Sequence, residues 1–351
     1  MKILIVRLGA LGDVVHALPV AAALRGRYAD AQIDWLVDAR YAGLLELVPV
    51  VDHRIVISTR GQAGSGGARR GERRFDGKLG VVSAIRAMRT ERYDAAVDLQ
   101  GLLKSAALAR ASGARRVVGF DRRHLRERAA SLFYTERCHP GAAAHVVDKN
   151  LSVLPAFGIH DATPAFPFSV GDSEALSEVR GDAGERRAFA VINPGAAWPN
   201  KRWPPERFGA LAAWLREHHG LDSVVLWGPG EERLARAVAG TSQGAARPAP
   251  RTGLRDVIAL AGAARLMVSG DTGPLHLAAA VGTPIVALFG PTDPARNGPW
   301  SPADISLSRF GACVCHYRRR CRRERACIEE ITLQDVCGAI DRRLALVPPA
   351  A

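Results

Sequence analysis

Four apolar runs of this 351-residue chain end in turns whose residues can do chemistry. In "VSGDTGPLHLAAAVGTPIVALFGPTDP", Val268 to Pro294, a strand pattern stops at Gly270 and a helix can begin at Pro274. Proline is tolerated there because the first helical turn has no internal use for its missing N–H. The amides of Thr272 and Gly273 are then aimed outward, toward an anion, and Gly273 permits close approach of a ligand to the backbone. Asp271 can accept hydrogen bonds from sugar hydroxyls, and His276 lies on the same turn. Alone, Asp-Thr-Gly-Pro reads equally well as a plain helix cap. The second turn, "FGPTDP", one strand later favours a ligand site.

The next two turns match that chemistry. In "NPGAAWPNKRWPPERF", Asn193 to Phe208, Gly195 and the backbone at Ala196 and Ala197 can cradle an anion, while Lys201 offers an ammonium suited to a diphosphate. The bland alternative is a surface loop with a solvated lysine and Trp203 packed as a lid. "LWGPGEER" sets Glu231 and Glu232 at a helix start, where a carboxylate either chelates ribose hydroxyls or complements the helix dipole. Three strand ends thus converge on one nucleotide-like ligand. The fourth turn, in "RLGALGDVVHALP", instead delivers a carboxylate, Asp13, to a helix entrance where it would repel a phosphate. It lacks the G-x-G-x-x-G pattern, which disfavours an NAD-dependent oxidoreductase. With the phosphates assigned to the later turns, this one is free to carry an acid.

Such turns need strands and helices in alternation to position them. "KILIVR", "QIDWLVD", "HRIVIS", "DAAVDLQ" and "RRVVGF" read as strands in the first half, with one helix predicted over Asp13–Arg27. "AFAVINP", "DSVVLWG", "ARLMVSG" and "PIVALFG" repeat the pattern in the second. The fold class is therefore α/β, with two Rossmann-like, doubly wound parallel-sheet domains facing across a cleft. The proline-bearing segment "GIHDATPAFPFSV" holds the boundary, giving domains 1–165 and 166–351. A capping box, "TLQD", opens the last helix at Thr332, which is expected to pack back on the first domain. Residues 61–77, rich in Gly and Arg and without a period, read as a basic loop.

Composition is ordinary for a globular protein, at 48% hydrophobic and 24% charged, but the net charge is +13. With few lysines, the arginine bias can reflect genome composition, or it can draw the chain to a polyanion. A nucleic-acid partner needs aromatic-interleaved basic stripes, and aromatics are only 6%. "MKILIVRLGA" is too short and too interrupted for a signal peptide, and no run approaches the roughly 18 apolar residues of a spanning helix. A cytoplasmic location is expected.

"GALGDVVHALP" together with "GDTGPLHLAAAVGTPIVALFGPTDP", "YDAAVDLQGLLKSAALAR" and "RERAASLFY" resembles glycosyltransferase family 9, the ADP-heptose:lipopolysaccharide heptosyltransferases. The last two look closer to heptosyltransferase I than to heptosyltransferase II. The resemblance implies a GT-B fold and inverting, metal-independent transfer of heptose from ADP-heptose to Kdo-lipid A, at the anionic cytoplasmic face of the inner membrane. It further implies Asp13 as general base and Lys201, Thr272 and Gly273 as the diphosphate ligands. Asp271 would hold heptose hydroxyls, with Glu231 (or Glu232) on the ribose and His276 beside them. Asn193, Gly195 and Ala196 complete the donor side. Arg60, Lys104 and Arg126 are the acceptor-side cations, each otherwise a solvated surface charge. Ala196-Ala197 stands where heptosyltransferase I usually has threonine hydroxyls, so contacts there fall to the backbone.

Cys313, Cys315, Cys321 and Cys327 cluster in "CVCHYRRRCRRERACIEEIT". Cys-x-Cys is not the usual metal-ligand spacing, so reduced buried thiols are the primary reading. A structural metal, with His316 as a further ligand, is the alternative.

Overall fold

The computed structural model describes residues 1–58, 79–181 and 188–347. Two compact units meet in sequence between Ser169 and Val170. The first is a sheet of β1 (Lys2–Val6), β2 (Gln32–Asp38), β3 (His53–Ile57), β4 (Ala95–Asp98), β5 (Arg116–Phe120) and β6 (Glu136–Cys138). These are parallel throughout, in the order β3-β2-β1-β4-β5-β6. Parallel neighbours cannot be joined by tight hairpins, so the chain crosses a face of the sheet between strands. It steps outward from β1 to β3, then returns to lay β4 on the other side of β1. The strand order therefore reverses between β1 and β4, the place where open α/β sheets bind ligands.

The second unit repeats the plan with β7 (Phe189–Asn193), β8 (Asp222–Val225), β9 (Ala246–Pro248), β10 (Leu266–Gly270), β11 (Ile285–Phe289) and β12 (Ile305–Ser308). Its order is β12-β11-β10-β7-β8-β9, again all parallel, reversing between β7 and β10. Side chains alternate across a strand, so each strand feeds two cores. Ala190, Ile192, Leu266, Val268, Val286 and Leu288 pack on one face with Trp203, Phe208 and Leu211. Phe189, Val191, Met267, Ala287 and Phe289 pack on the other with Leu260, Leu275 and Ala278. Burial on both faces explains why these strands read as nearly continuous apolar runs.

Several expectations change in detail. The helix predicted over Asp13–Arg27 is two, Leu11–Val15 and Leu18–Arg27. Pro19 sits in the first turn of the second and has no N–H to continue the first. Trp203 is no lid: it is fully buried, donates its indole N–H to the Ile331 carbonyl at 2.8 Å and meets Phe208 edge-on. The last helix, Leu333–Leu344, carries the predicted capping box, with Thr332 Oγ1 accepting from the Asp335 amide and Asp335 Oδ2 from the Thr332 amide. Its Val336, Ala339 and Ile340 are buried in the core of the second unit itself.

In the first unit, Asp98 closes β4 and fixes the turn after it. The carboxylate is fully buried and accepts from Tyr134 Oη (2.7 Å), Ser105 Oγ (2.9 Å) and the Gln100 and Gly101 amides. Burial pushes its pKa up, and these donors hold it down. Gly119 must lack a side chain because a Cβ there would collide with the Tyr134 ring. Tyr134→Phe leaves Asp98 one donor short, at a cost of about 1–3 kcal/mol. A lowered thermal midpoint with the fold retained by circular dichroism is the expected outcome.

Candidate active site

The second sheet brings its predicted residues together at the reversal of strand order. Asn193 ends β7 and Asp271 follows β10, the two strands that flank the reversal. Asn193 Nδ2 donates to Ser269 Oγ at 3.0 Å and to Thr272 Oγ1 at 2.8 Å, stitching the two strand ends together. Thr272 is the N-cap residue of helix Gly273–Ala280, yet its side chain does not cap it. Pro274 stands in the first turn, as predicted. The amides that open the helix thus have neither an intrahelical partner nor a capping hydroxyl.

Asp271 is the hub. Its carboxylate is buried and receives four side chains: Lys201 Nζ, Thr292 Oγ1 (2.7 Å), Asn297 Nδ2 (2.8 Å) and, at 3.5 Å, His276 Nε2. Burial alone would raise its pKa, but the hydrogen bond and charge of His276 and those of Lys201 outweigh it, holding the carboxyl well below the usual range. Lys201 Nζ also lies 3.4 Å from the Asp271 carbonyl oxygen and 4.5 Å from the centre of the Trp198 ring. Gly270 is required here, since a Cβ would crowd the Lys201 carbonyl at 2.9 Å.

Glu231 and Glu232, equivalent in sequence, separate in the structure. Glu231 folds back on its own turn, accepting from the Gly228 amide at 3.2 Å and from Arg202 at 3.3 Å. A Cβ at Gly195 would collide with its carboxylate, which puts Glu231 beside the "NPG" turn. Glu232 points away and pairs with exposed Arg236. The Ala196 carbonyl is occupied by Arg202 Nε at 2.8 Å.

The first unit arranges its residues in the same way. Asp13 lies on helix Leu11–Val15 just beyond β1, about one-third exposed, its Oδ1 2.7 Å from Arg7 Nη2 and its Oδ2 accepting from the Ala10 amide at 2.9 Å. Arg7 is buried at the strand end and also bonds the Leu99 carbonyl. Gln100, beyond β4, accepts from the Leu8 amide at 2.9 Å and donates to the Gly9 carbonyl at 3.0 Å. Lys104 and Arg126 are both exposed, the first on the helix after β4 and the second in the turn after β5. Glu127 joins those two segments by accepting from the Leu103 amide at 2.7 Å. Asp121, paired with His124 and His139 at 2.7 and 2.6 Å, anchors the start of the turn that bears Arg126. Among the described residues these three also form a group whose ligand atoms lie within 4.8 Å of one another. Asp13, Lys104 and Arg126 thus follow three adjacent strands. Arg60 lies outside the described residues.

Sequence reasoning missed the residues that hold these groups in place. Arg7 and Gln100 stand at the last positions of the predicted strands "KILIVR" and "DAAVDLQ", where neither signals a supporting role. Asn297 carries no sequence signal, because its partner is 26 positions away. The four clustered cysteines do converge, as free thiols, while His316 turns away to bond the Phe310 carbonyl at 2.8 Å.

The hub makes a prediction. Asp271→Asn strands the Lys201 ammonium in a buried position and costs about 3–5 kcal/mol at neutral pH. Because the native pKa of Asp271 is depressed, its contribution is complete above about pH 4, the ordinary carboxylate region, and is lost as pH falls through the lower native value. The difference in stability between the two proteins should be constant from pH 5 to 7, about the neutral range, and shrink on acidification. Denaturant unfolding at several pH values measures it.

The profile of glycosyltransferase family 9 (heptosyltransferase) matches residues 81–326. Lipopolysaccharide heptosyltransferase 1 of Pseudomonas aeruginosa is 32% identical over 92% of this chain and 87% of its own length. The Escherichia coli protein of the same name is 31% identical over 85% of this chain and 90% of its own. The solved structure of E. coli heptosyltransferase WaaC with ADP superposes with a TM-score of 0.75 at 26% identity, covering 98% of this chain and all of that one. Two parallel doubly wound sheets, a basic and acidic cluster at the reversal of the second, and this breadth of similarity agree: the chain belongs to glycosyltransferase family 9, the heptosyltransferases.

Proposed function

We propose that this protein is a heptosyltransferase of type I, transferring heptose from ADP-heptose to the Kdo-lipid A core of lipopolysaccharide with inversion and with no metal in the transfer step. The observation that carries the donor half is the Lys201–Asp271 pair beside the opening of helix Gly273–Ala280. A diphosphate competes with Asp271 for the ammonium and takes up the amides of Thr272 and Gly273, which favour an anion. Asp271, relieved of Lys201, accepts from heptose hydroxyls, and Glu231 takes the ribose. Similarity to a structure solved with ADP-2-deoxy-2-fluoro heptose, 26% identical with a TM-score of 0.72, supports this choice of donor.

In the first unit Asp13 takes the proton of an acceptor hydroxyl as that oxygen bonds to the anomeric carbon. The bond from that carbon to the diphosphate oxygen breaks, and ADP leaves with the electron pair. Lys201 and the helix amides offset the growing negative charge, the task a divalent ion performs elsewhere. The Arg7 contact fixes which face of the Asp13 carboxylate remains free. Lys104 and Arg126 meet the anionic acceptor, and Arg60 is assigned to the same task from its sequence position. Among the described residues no helix is long and apolar enough to cross a membrane. A net charge of +13 suits work at an anionic cytoplasmic membrane face.

The test is incubation with ADP-heptose and Kdo-lipid A with mass detection. A product heavier by one heptose is expected; use only of an acceptor that already bears heptose would assign the chain to type II. Asp13→Asn should lower kcat by about 10²- to 10⁴-fold with ADP affinity unchanged. Lys201→Ala should instead weaken ADP binding by about 10- to 100-fold. Loss of ADP binding in the Asp13 variant would overturn the role given to it.

A further inference from the structure

Fifteen residues from Cys313 to Cys327 carry four cysteines spaced C-x-C-x5-C-x5-C. Their sulfurs form a continuous chain of contacts. Cys321 Sγ lies 3.3 Å from Cys315 Sγ, which lies 3.5 Å from Cys313 Sγ, and Cys327 packs in the same cluster. Cys313, Cys315 and Cys327 are buried, and Cys321 is half-buried against them. Nothing aliphatic belongs to this cluster. A short loop with six arginines and no apolar core of its own does not hold its shape by hydrophobic burial, and small units of this kind rely on disulfides or a metal.

The spacing is too long for disulfides, whose sulfurs stand about 2.05 Å apart. The two neighbouring separations, 3.5 and 3.3 Å, approach the distance of about 3.8 Å between sulfurs in a tetrahedral shell with metal–sulfur bonds near 2.3 Å, while sulfurs that are not neighbours in the chain of contacts stand farther apart. A second, independent feature is the direction of the backbone. The amides of Arg322, Arg323 and Cys327 lie around Cys321 Sγ, and the Cys315 amide donates to Cys313 Sγ at 3.4 Å. N–H groups aimed at sulfur are the outer hydrogen bonds that orient a ligating atom. Arg318, Arg319, Arg320, Arg322, Arg323 and Arg325 surround the cluster with exposed positive charge, which offsets the surplus negative charge of four thiolates on one divalent ion. His316 is held elsewhere, so the donor set is sulfur alone.

We infer that Cys313, Cys315, Cys321 and Cys327 bind one thiophilic divalent ion, zinc by the nature of the donors, as a structural centre separate from the transfer chemistry. Binding draws the two outer sulfurs, Cys321 and Cys327, in toward the inner pair and releases the thiol protons. The centre props two turns of the second unit. Asn200 donates from Nδ2 to the Arg318 carbonyl at 2.9 Å and lies 3.9 Å from Cys315 Sγ, directly before Lys201. Tyr317 donates its amide to the Pro291 carbonyl at 2.9 Å, directly before Thr292.

The full-length protein, purified under reducing conditions without chelator, should contain one zinc per chain by elemental analysis. Four of its six thiols should resist alkylation until a chelator is added. After stripping, titration with Zn²⁺ should saturate at one equivalent and raise the thermal midpoint. Co²⁺ should give the intense sulfur-to-metal charge-transfer absorption and the visible bands of a tetrahedral thiolate site. Cys315→Ser and Cys327→Ser should each abolish the cobalt spectrum, whereas Cys337→Ser, outside the cluster, should keep it. Iron at one equivalent on the same four sulfurs would uphold the site and change only its occupant. Six freely reactive thiols with no zinc uptake, or two disulfides among the four cysteines, would overturn it. None of these readouts depends on which sugar the protein transfers.

Discussion

An ammonium and a carboxylate are costly to bury, and the Lys201–Asp271 pair persists inside the second unit only because the surroundings answer every lone pair. Thr292, Asn297 and His276 all converge on that carboxylate. They come from the segments that follow β10 and β11, and Lys201 comes from the segment that follows β7. Satisfying one buried acid therefore fixes the mutual position of three strand ends. The helix opening at Gly273 is set by the same requirement, since Thr272 is held by Asn193 and not by the helix it precedes.

The two sheets show which parts of such a fold are legible in a sequence. All interior strands were visible as apolar runs, because burial on both faces demands it. The three strands that escaped notice, β6, β9 and β12, are all edge strands of three or four residues. Their composition says little: β9 is Ala-Arg-Pro, and β12 is only partly buried along its length. An edge strand pairs on one side only, so it needs neither an apolar run nor a free N–H at every position. β6 and β9 are defined by what they lie beside, and one-dimensional patterns do not contain that information.

The candidate site divides similarly. Lys201, Asp271, Thr272 and Glu231 were legible because glycine turns after strands mark where a chain can meet a ligand, and the structure groups them at the reversal of the second sheet. What was not legible was the support. Asn297, Arg202 and Gln100 act through partners up to 92 positions away. Arg7 looked like an interruption of an apolar strand and is the buried cation that orients Asp13. The cysteines are a different case. Their spacing departs from familiar metal motifs, yet the fold brings the sulfurs together.

The Gln100 amide, which bonds both Leu8 and Gly9, has a bearing on any attempt to retarget the protein. The turn that presents Asp13 is bonded within itself, but its entry at Leu8 and Gly9 is held by a segment 92 positions downstream. Transplanting the amino-terminal motif into another scaffold, or exchanging it between relatives with different acceptors, would move the acid without its brace. A chimera must inherit both stretches from one parent if the Asp13 carboxylate is to keep its aim.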